Sequence, residues 1–267
     1  MKNWTKRAEK VMIRFGNKIS GYMIYIGQLS ILLGQTLKFV FVPPFAKRKH
    51  VFSQMSKVGV DSLPIVFMTA LFTGVVLALQ GAYQMQKIDA RAYIANLVAL
   101  SMFRELGPVL TALVVAGRVG ASISAELGTM KVTEQIDAIA TMASNPIRYL
   151  IVPRFLAIMI MLPLLTIYSD IIGIIGGYLV GIFKLGIGST VYITMTFKPL
   201  MPKDFFTGII KSVAFAVIIS IISCYQGFNA EGGAEGVGRA TTMSVVLSFI
   251  LIIAADCVFT ALFYFAF

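Results

Sequence analysis

Five ionisable side chains stand inside long apolar runs of this chain: the adjacent Arg104 and Glu105, then Asp170, Lys211 and Asp256. A charge surrounded by hydrocarbon costs at least a few kcal/mol, so each must face a polar cavity, an opposite charge or the protein interior. Neighbouring helix positions point about 100° apart, so Arg104 and Glu105 are not expected to face one partner. One of them should face a cavity and the other a neighbouring helix or subunit. Burying both for packing alone would be wasteful, which favours a role in binding. Counting about 1.5 Å per residue, Arg104 and Glu105 fall near the middle of their run, and Lys211 and Asp256 near the outer ends of theirs. Lys211 and Asp256 are therefore read as a membrane charge pair, either a structural bridge or part of the site.

Other chemistries are excluded on residue type. Gly233 to Ala240 imitates the GxxxxG spacing of a phosphate loop, but Arg239 replaces the lysine and Ala240 the magnesium-binding hydroxyl, and no strand precedes it. ATP hydrolysis in this chain is not expected. His50 is the only histidine, so neither an imidazole metal site nor a Ser-His-Asp arrangement is expected. Cys224 and Cys257 lie in apolar runs without CxxC spacing and read as packed thiols. The net charge of +11 could suggest nucleic acid, but the basic residues flank apolar runs and form no separate basic domain.

The elements that hold these charges are membrane spans. With 58% hydrophobic and 13% charged residues and a mean hydropathy of +0.85, the chain departs from soluble domains, where about a quarter of residues are charged. The expected fold class is all-α and polytopic, with five transmembrane helices, and no removable signal peptide is expected. The runs are Asp61 to Lys87, Tyr93 to Gly117, Phe155 to Phe183, Phe205 to Phe228, and Thr241 to the C-terminus. Each is long enough for about 20 residues of hydrocarbon. Residues 1–50 form a separate N-terminal segment and 51–267 the five-span domain. In the first segment Ala8, Met12, Phe15, Ile19, Tyr22, Ile26, Leu29 and Leu33 recur at helical spacing opposite Lys6, Lys10 and Arg14. That pattern reads as an amphipathic interfacial helix ended by Pro43-Pro44, with a true crossing by Ile19 to Leu37 as the alternative. With the N-terminus inside, 16 Lys or Arg fall in cytoplasmic segments against 5 outside, which favours a cytoplasmic N-terminus and an external C-terminus. No internal repeat is evident, and Gly173, Gly177 and Gly181 read as close helix packing.

Within the cytoplasmic loop 118–154, Val132, Ile136, Ile139 and Ala143 recur at spacings of four, three and four, with Lys131, Glu134 and Asp137 elsewhere, up to Asn145-Pro146. A short amphipathic helix there suits a groove on a partner, or else rests on the membrane surface.

The run RELGPVLTALVVAGRVGASISAELGTMKVTEQIDAI, followed by NPIRYLIVPR, resembles the signature of the MlaE/YrbE-type permeases, the membrane subunits of ABC transporters that move phospholipids between bacterial membranes. LQG at Leu79 to Gly81, LPLLT at Leu162 to Thr166, GGYLVG at Gly176 to Gly181 and GRATT at Gly238 to Thr242 extend the likeness over nearly the whole chain. The resemblance implies a homodimer in a bacterial inner membrane and a cytoplasmic ABC ATPase, which binds ATP and magnesium and docks on Val132, Glu134, Ile136, Ile139 and Ala143. It further implies a periplasmic MCE-domain partner, a small STAS-type cytoplasmic subunit, and a phospholipid cavity at the dimer interface. By motif position, Leu77, Gln84 and Ile88 on the first span and Arg104 and Glu105 on the second would lie near lipid, while Asp204, Lys211, Arg239 and Asp256 match charged positions. No cofactor is implied in this chain. Two other classes stand against this reading: an ion-coupled transporter relaying through Asp170, Asp256 and the Arg-Glu pair, and a non-transporting scaffold for the periplasmic partner.

Overall fold

A computed structural model describes residues 2–43, 47–85 and 93–266, with side chains from Ser20 onward except those of Tyr22 and Ala266. The described residues are helical with no strand, and six helical stretches are long and apolar enough to cross a membrane. The chain divides into two compact units, Met1–Phe45 and Ala46–Phe267.

The first unit is one helix, α1 (Lys2–Phe41). Its Met23–Phe41 portion meets the length and composition of a crossing helix, while most of the side chains expected on its amphipathic face (Ala8, Met12, Phe15, Ile19, Tyr22) lie outside the described ones. Met23, Ile24, Ile26, Ile31 and Phe41 are exposed, as apolar side chains can be in lipid but not in water without cost.

The second unit opens with α2 (Arg48–Gly59), which runs through a 3₁₀ turn, Val60–Ser62, into α3 (Leu63–Met85). A single long rod follows: α4 (Ile94–Ser101), a π segment at Met102–Leu106, α5 (Gly107–Val115), a second π segment at Ala116–Gly120, and α6 (Ala121–Val132). The first π segment has a cause in the sequence. Pro108 has no N–H to offer the Arg104 carbonyl four residues back, and its ring crowds that carbonyl, so the turn widens. Since the rod runs unbroken from Ile94 to Val132, 39 residues, Arg104 and Glu105 sit in its first third and not midway along the helix.

The helix expected within the loop 118–154 departs from its expected extent. The rod stops at Thr133, Glu134 takes a left-handed conformation (φ 61°), and α7 covers only Gln135–Thr141. Ala143 is also left-handed (φ 57°), and the Ser144 N–H returns to the Ile139 carbonyl at 3.3 Å, a left-handed C-terminal cap. Val132 thus closes α6, Glu134 is the hinge, and Ala143 lies beyond the helix end; only Ile136 and Ile139 of the five expected docking residues are on α7. Asn145 does not stop α7 either. Its Oδ1 accepts the N–H groups of Ile147 (3.0 Å) and Arg148 (3.3 Å), so it caps the next helix, as a short polar side chain does at an N-terminus.

That helix starts as a π segment, Ile147–Ile151, and continues as α8 (Val152–Phe183), followed by α9 (Ser189–Phe197), α10 (Pro202–Phe228) and α11 (Gly233–Ala266). The segment that imitates a phosphate loop is the helical start of α11, so it forms no loop.

The helices α3 and α8 make the most extensive pairing, and small residues permit it. A methyl on Gly74 would overlap the Gly173 backbone, and one on Gly176 would overlap the Leu71 carbonyl. Gly173, Gly177 and Gly181 otherwise lie against Met102, Val98 and the ring of Tyr192. Close backbone approach replaces the hydrophobic drive that is absent between helices in lipid. Buried Ser223 and Ser244, 3.1 Å apart, join α10 to α11.

A charged pocket between three helices

The α10 N-terminus is built on Asp204. Its backbone N–H donates to the Met201 carbonyl, and its Oδ2 accepts the Met201 N–H at 2.9 Å, which satisfies one of the donors every helix start leaves open. The other carboxylate oxygen, Oδ1, accepts Arg104 Nε at 2.8 Å and Arg104 Nη2 at 2.7 Å, a two-pronged pairing. Asp204 is 3% exposed, whereas the Arg104 side chain is 48% exposed. One carboxylate therefore starts a helix and anchors a guanidinium that opens outward.

Two turns further along α10, Lys211 is completely buried. Its Nζ donates to Glu105 Oε2 at 2.6 Å, Thr260 Oγ1 at 2.8 Å, Asp256 Oδ1 at 2.9 Å and the Arg104 carbonyl at 3.0 Å. The last is the carbonyl Pro108 deprives of a helical donor, so the π segment and the buried lysine satisfy each other. Thr260 in turn donates its hydroxyl to Glu105, at 3.1 and 3.2 Å from its two oxygens.

Arg104 and Glu105 thus both reach α10, against the expectation that they face different partners. Two things make this possible: Asp204 and Lys211 lie seven residues apart on one face of α10, and the widened π turn alters the angle between successive side chains. Lys211 and Asp256 are paired, and Glu105 completes the group.

Arg104, Glu105, Asp204, Lys211 and Thr260 line a cavity of about 370 Å³ with Lys203, Thr207, Phe263 and Tyr264. It lies between the rod, the first turns of α10 and the last turns of α11. Its lining carries Arg104, Lys203 and Lys211 against Glu105 and Asp204, with Asp256 paired to Lys211 outside that lining, and the rings of Phe263 and Tyr264 form part of the wall. Such a space suits a ligand with separated charges and an apolar body. No cluster of metal-binding side chains occurs among the described residues.

The remaining expected residues lie elsewhere. Leu77 is partly buried against the cluster of Ala78, Ala82, Ile94, Val98 and Met102. Gln84 is exposed on α3, Ile88 is outside the described residues, and Arg239 is exposed 4.0 Å from Glu235 on its own helix. Leu77, Gln84 and Arg239 do not line the pocket. Asp170 is buried, and its Oδ1, without a hydrogen-bond partner, lies where a methyl on Gly107 would fall. Cys224 is buried, Cys257 exposed, and both are free.

A second charged group was missed by the sequence reading. Glu126 Oε1 pairs with Lys57 at 3.2 Å, and Glu126 Oε2 with the buried Arg154 at 3.1 Å. Arg118 donates to Ser62 Oγ at 2.8 Å and lies 3.6 Å from Asp61. Asp61, Arg118 and Arg154 had served only as limits of apolar runs. The signal was their sign: opposite charges bounding successive spans at one membrane level can meet when the spans pack.

The family model described as Permease MlaE matches residues 51–262. The probable ABC transporter permease protein of Rickettsia prowazekii is 52% identical over 239 residues, covering 90% of this chain and 92% of that one. The intermembrane phospholipid transport system permease protein MlaE of Haemophilus influenzae is 41% identical over 219 residues, covering 80% and 84%. Protein TRIGALACTOSYLDIACYLGLYCEROL 1, chloroplastic, of Arabidopsis thaliana is 37% identical over 216 residues, covering 81% of this chain and 62% of that one.

Proposed function

Because this chain belongs to the MlaE permease family, a family of ABC transporter permeases, we propose that it is the membrane subunit of an ATP-driven transporter that moves phospholipid between two membranes and so maintains the lipid asymmetry of an outer membrane. The observation that carries this is the pocket: charges of both signs, with an excess of cations, that open from buried partners into a cavity with an aromatic wall suit a phospholipid head group with its chains beside it. In this reading Arg104 and Lys203 take the phosphate and Glu105 a cationic head-group atom, which their shared lining of the cavity supports. Leu77, Gln84 and Ile88 would face the acyl chains in an assembled dimer.

The chain itself hydrolyses nothing in this reading. A cytoplasmic ABC ATPase, holding ATP and magnesium, docks on α7 and its flanks, from Val132 and Glu134 through Ile136 and Ile139 to Ala143. A second copy of the chain completes the lipid cavity. An MCE-domain protein exchanges lipid on the far side, and a small STAS-type subunit accompanies the ATPase. The location is a bacterial inner membrane, with the N-terminus cytoplasmic and the C-terminus periplasmic.

The test is a purified complex in vesicles with labelled phospholipid. ATP-dependent movement that is lost with an inactive ATPase, and reduced by Glu105→Ala in a complex that still assembles, supports the reading. Movement that follows an ion gradient without ATP, or full movement by Glu105→Ala, overturns it.

A further inference from the structure

The junction where α2 turns into α3 is held from two sides by the long rod. Arg118, in the rod's second π segment, donates to the Lys57 carbonyl at 3.3 Å and to Ser62 Oγ at 2.8 Å. Two turns on, Glu126 bridges Lys57 of α2 and Arg154 of α8. Arg154 is 7% exposed, and its Nη1 also donates to the Leu150 carbonyl at 2.9 Å, in the π segment that begins the α8 span. A buried guanidinium with one carboxylate partner is a poor contributor to net stability, yet costly to leave alone. Its use here is geometric, because one Glu126 side chain sets the separation of three helices.

Between the holding groups lies a polar cavity of about 320 Å³, lined among others by Gln54, Asp61, Ser122 and Glu126. α2 packs on α8, where a methyl on Gly59 would overlap Met161, whereas α6 meets both chiefly through these ion pairs beside open space. The pairs can lengthen or exchange without expelling a packed core.

Glu126 stands nine residues before α7 on the same rod, and Lys131 Nζ, 3.1 Å from Asp137, fastens the rod's end to α7. We infer that Glu126 is a positioning residue, part of a cytoplasmic clasp that passes displacement of α7 through Lys57 to the α2–α3 junction and through Arg154 to the base of α8. The inference rests on the reading that an ATPase docks on α7; it adds the route by which that docking reaches the wall-forming span α3.

The experiment measures lipid moved per ATP hydrolysed in the reconstituted complex, a ratio that loss of folded protein alone would leave unchanged. Glu126→Gln is expected to keep ATP hydrolysis within about twofold of the unaltered complex and to lower the ratio about tenfold, within the range of ordinary coupling effects. Lys57→Ala, which spares the buried Glu126–Arg154 pair, is expected to lower it about two- to fivefold, and Lys57→Arg to preserve it. An unchanged ratio in both Glu126→Gln and Lys57→Ala overturns the clasp. So does loss of assembly in Glu126→Gln with an unaltered ratio in Lys57→Ala, which shows a structural role only. An unaltered complex that binds no ATPase, or moves no lipid, overturns the functional reading and the clasp with it; the variants' ratios then do not enter.

Discussion

The buried ammonium of Lys211 lies 3.0 Å from the main-chain carbonyl of Arg104, on the helix whose next side chain, Glu105, it also binds. Backbone and side chain of one widened turn thereby grip a single cation. Pro108 creates the opening, because it stands where a residue with an N–H would have claimed that carbonyl.

Removing the cation alone should be far worse than removing the whole group. Lys211→Ala leaves Glu105 and Asp256 facing each other with no counter-charge, a loss of about 3–5 kcal/mol. Lys211→Met combined with Glu105→Gln and Asp256→Asn should recover most of that stability and still fail to move lipid. Thermal unfolding in detergent, beside a lipid-movement assay, separates the two; equal destabilisation by the single and triple variants would count against the ion-pair account.

Pro108→Ala returns an N–H to the Arg104 carbonyl and removes the ring that crowds it. The helix should gain or hold stability, since proline inside a helix costs about 3 kcal/mol. Lys211 loses an acceptor and the turn can relax to α geometry, which re-aims Arg104 and Glu105. Expected are an unchanged or raised melting temperature and slower lipid movement; unchanged movement would show that the π turn does not set the pocket.

Glycine substitutions should sort by what the added methyl meets. Gly74→Ala drives a methyl into the Gly173 backbone, which cannot rotate away, and should cost about 1–3 kcal/mol or more. Gly238→Ala meets nothing within 4 Å and should be neutral or slightly stabilising, as alanine favours helix by up to about 1 kcal/mol. Melting temperatures of the two variants give the comparison.

Tyr192, outside the crossing helices, is buried with its hydroxyl unpartnered, and burial pushes its ionisation up to about 12 from 10.0. The neutral phenol is the form that folding favours. Its contribution is therefore complete below about pH 10 and declines as pH rises toward 12, because the unfolded chain releases that proton first. Tyr192→Phe should flatten the fall of the melting temperature across this window; an identical slope in both proteins would refute the assignment.

Met142, 79% exposed just beyond α7, offers a test of docking that leaves the fold intact. Met142→Glu should reduce recovery of the ATPase with the tagged permease while the melting temperature of the permease alone stays within a degree or so, as is usual for surface changes. Full recovery of the ATPase would move the contact away from this end of α7.

Composition and residue pattern by themselves determined that the chain is helical and crosses a membrane several times, and which charges lie within its apolar runs. These are legible because hydrocarbon penalises unpaired backbone groups and charges wherever the chain later folds. Partner choice was legible only for Lys211 and Asp256, which were expected to pair and lie 2.9 Å apart. Asp204 stood out only by its match to a charged family position, and its roles as helix cap and anchor of Arg104 came from the fold. Glu126 and Arg154 are 28 residues apart, and only the packing of the whole bundle, with α6 on α10 and α11 and α8 on α10, α2 and α3, brings them within reach. The end of the rod at Glu134 was hidden as well, since glutamate carries no local preference for a left-handed turn. Local physics set the helices and which apolar runs carry charges. The meeting of those charges was decided by which faces the glycines and the proline allow to approach, and that is a property of the packed bundle alone.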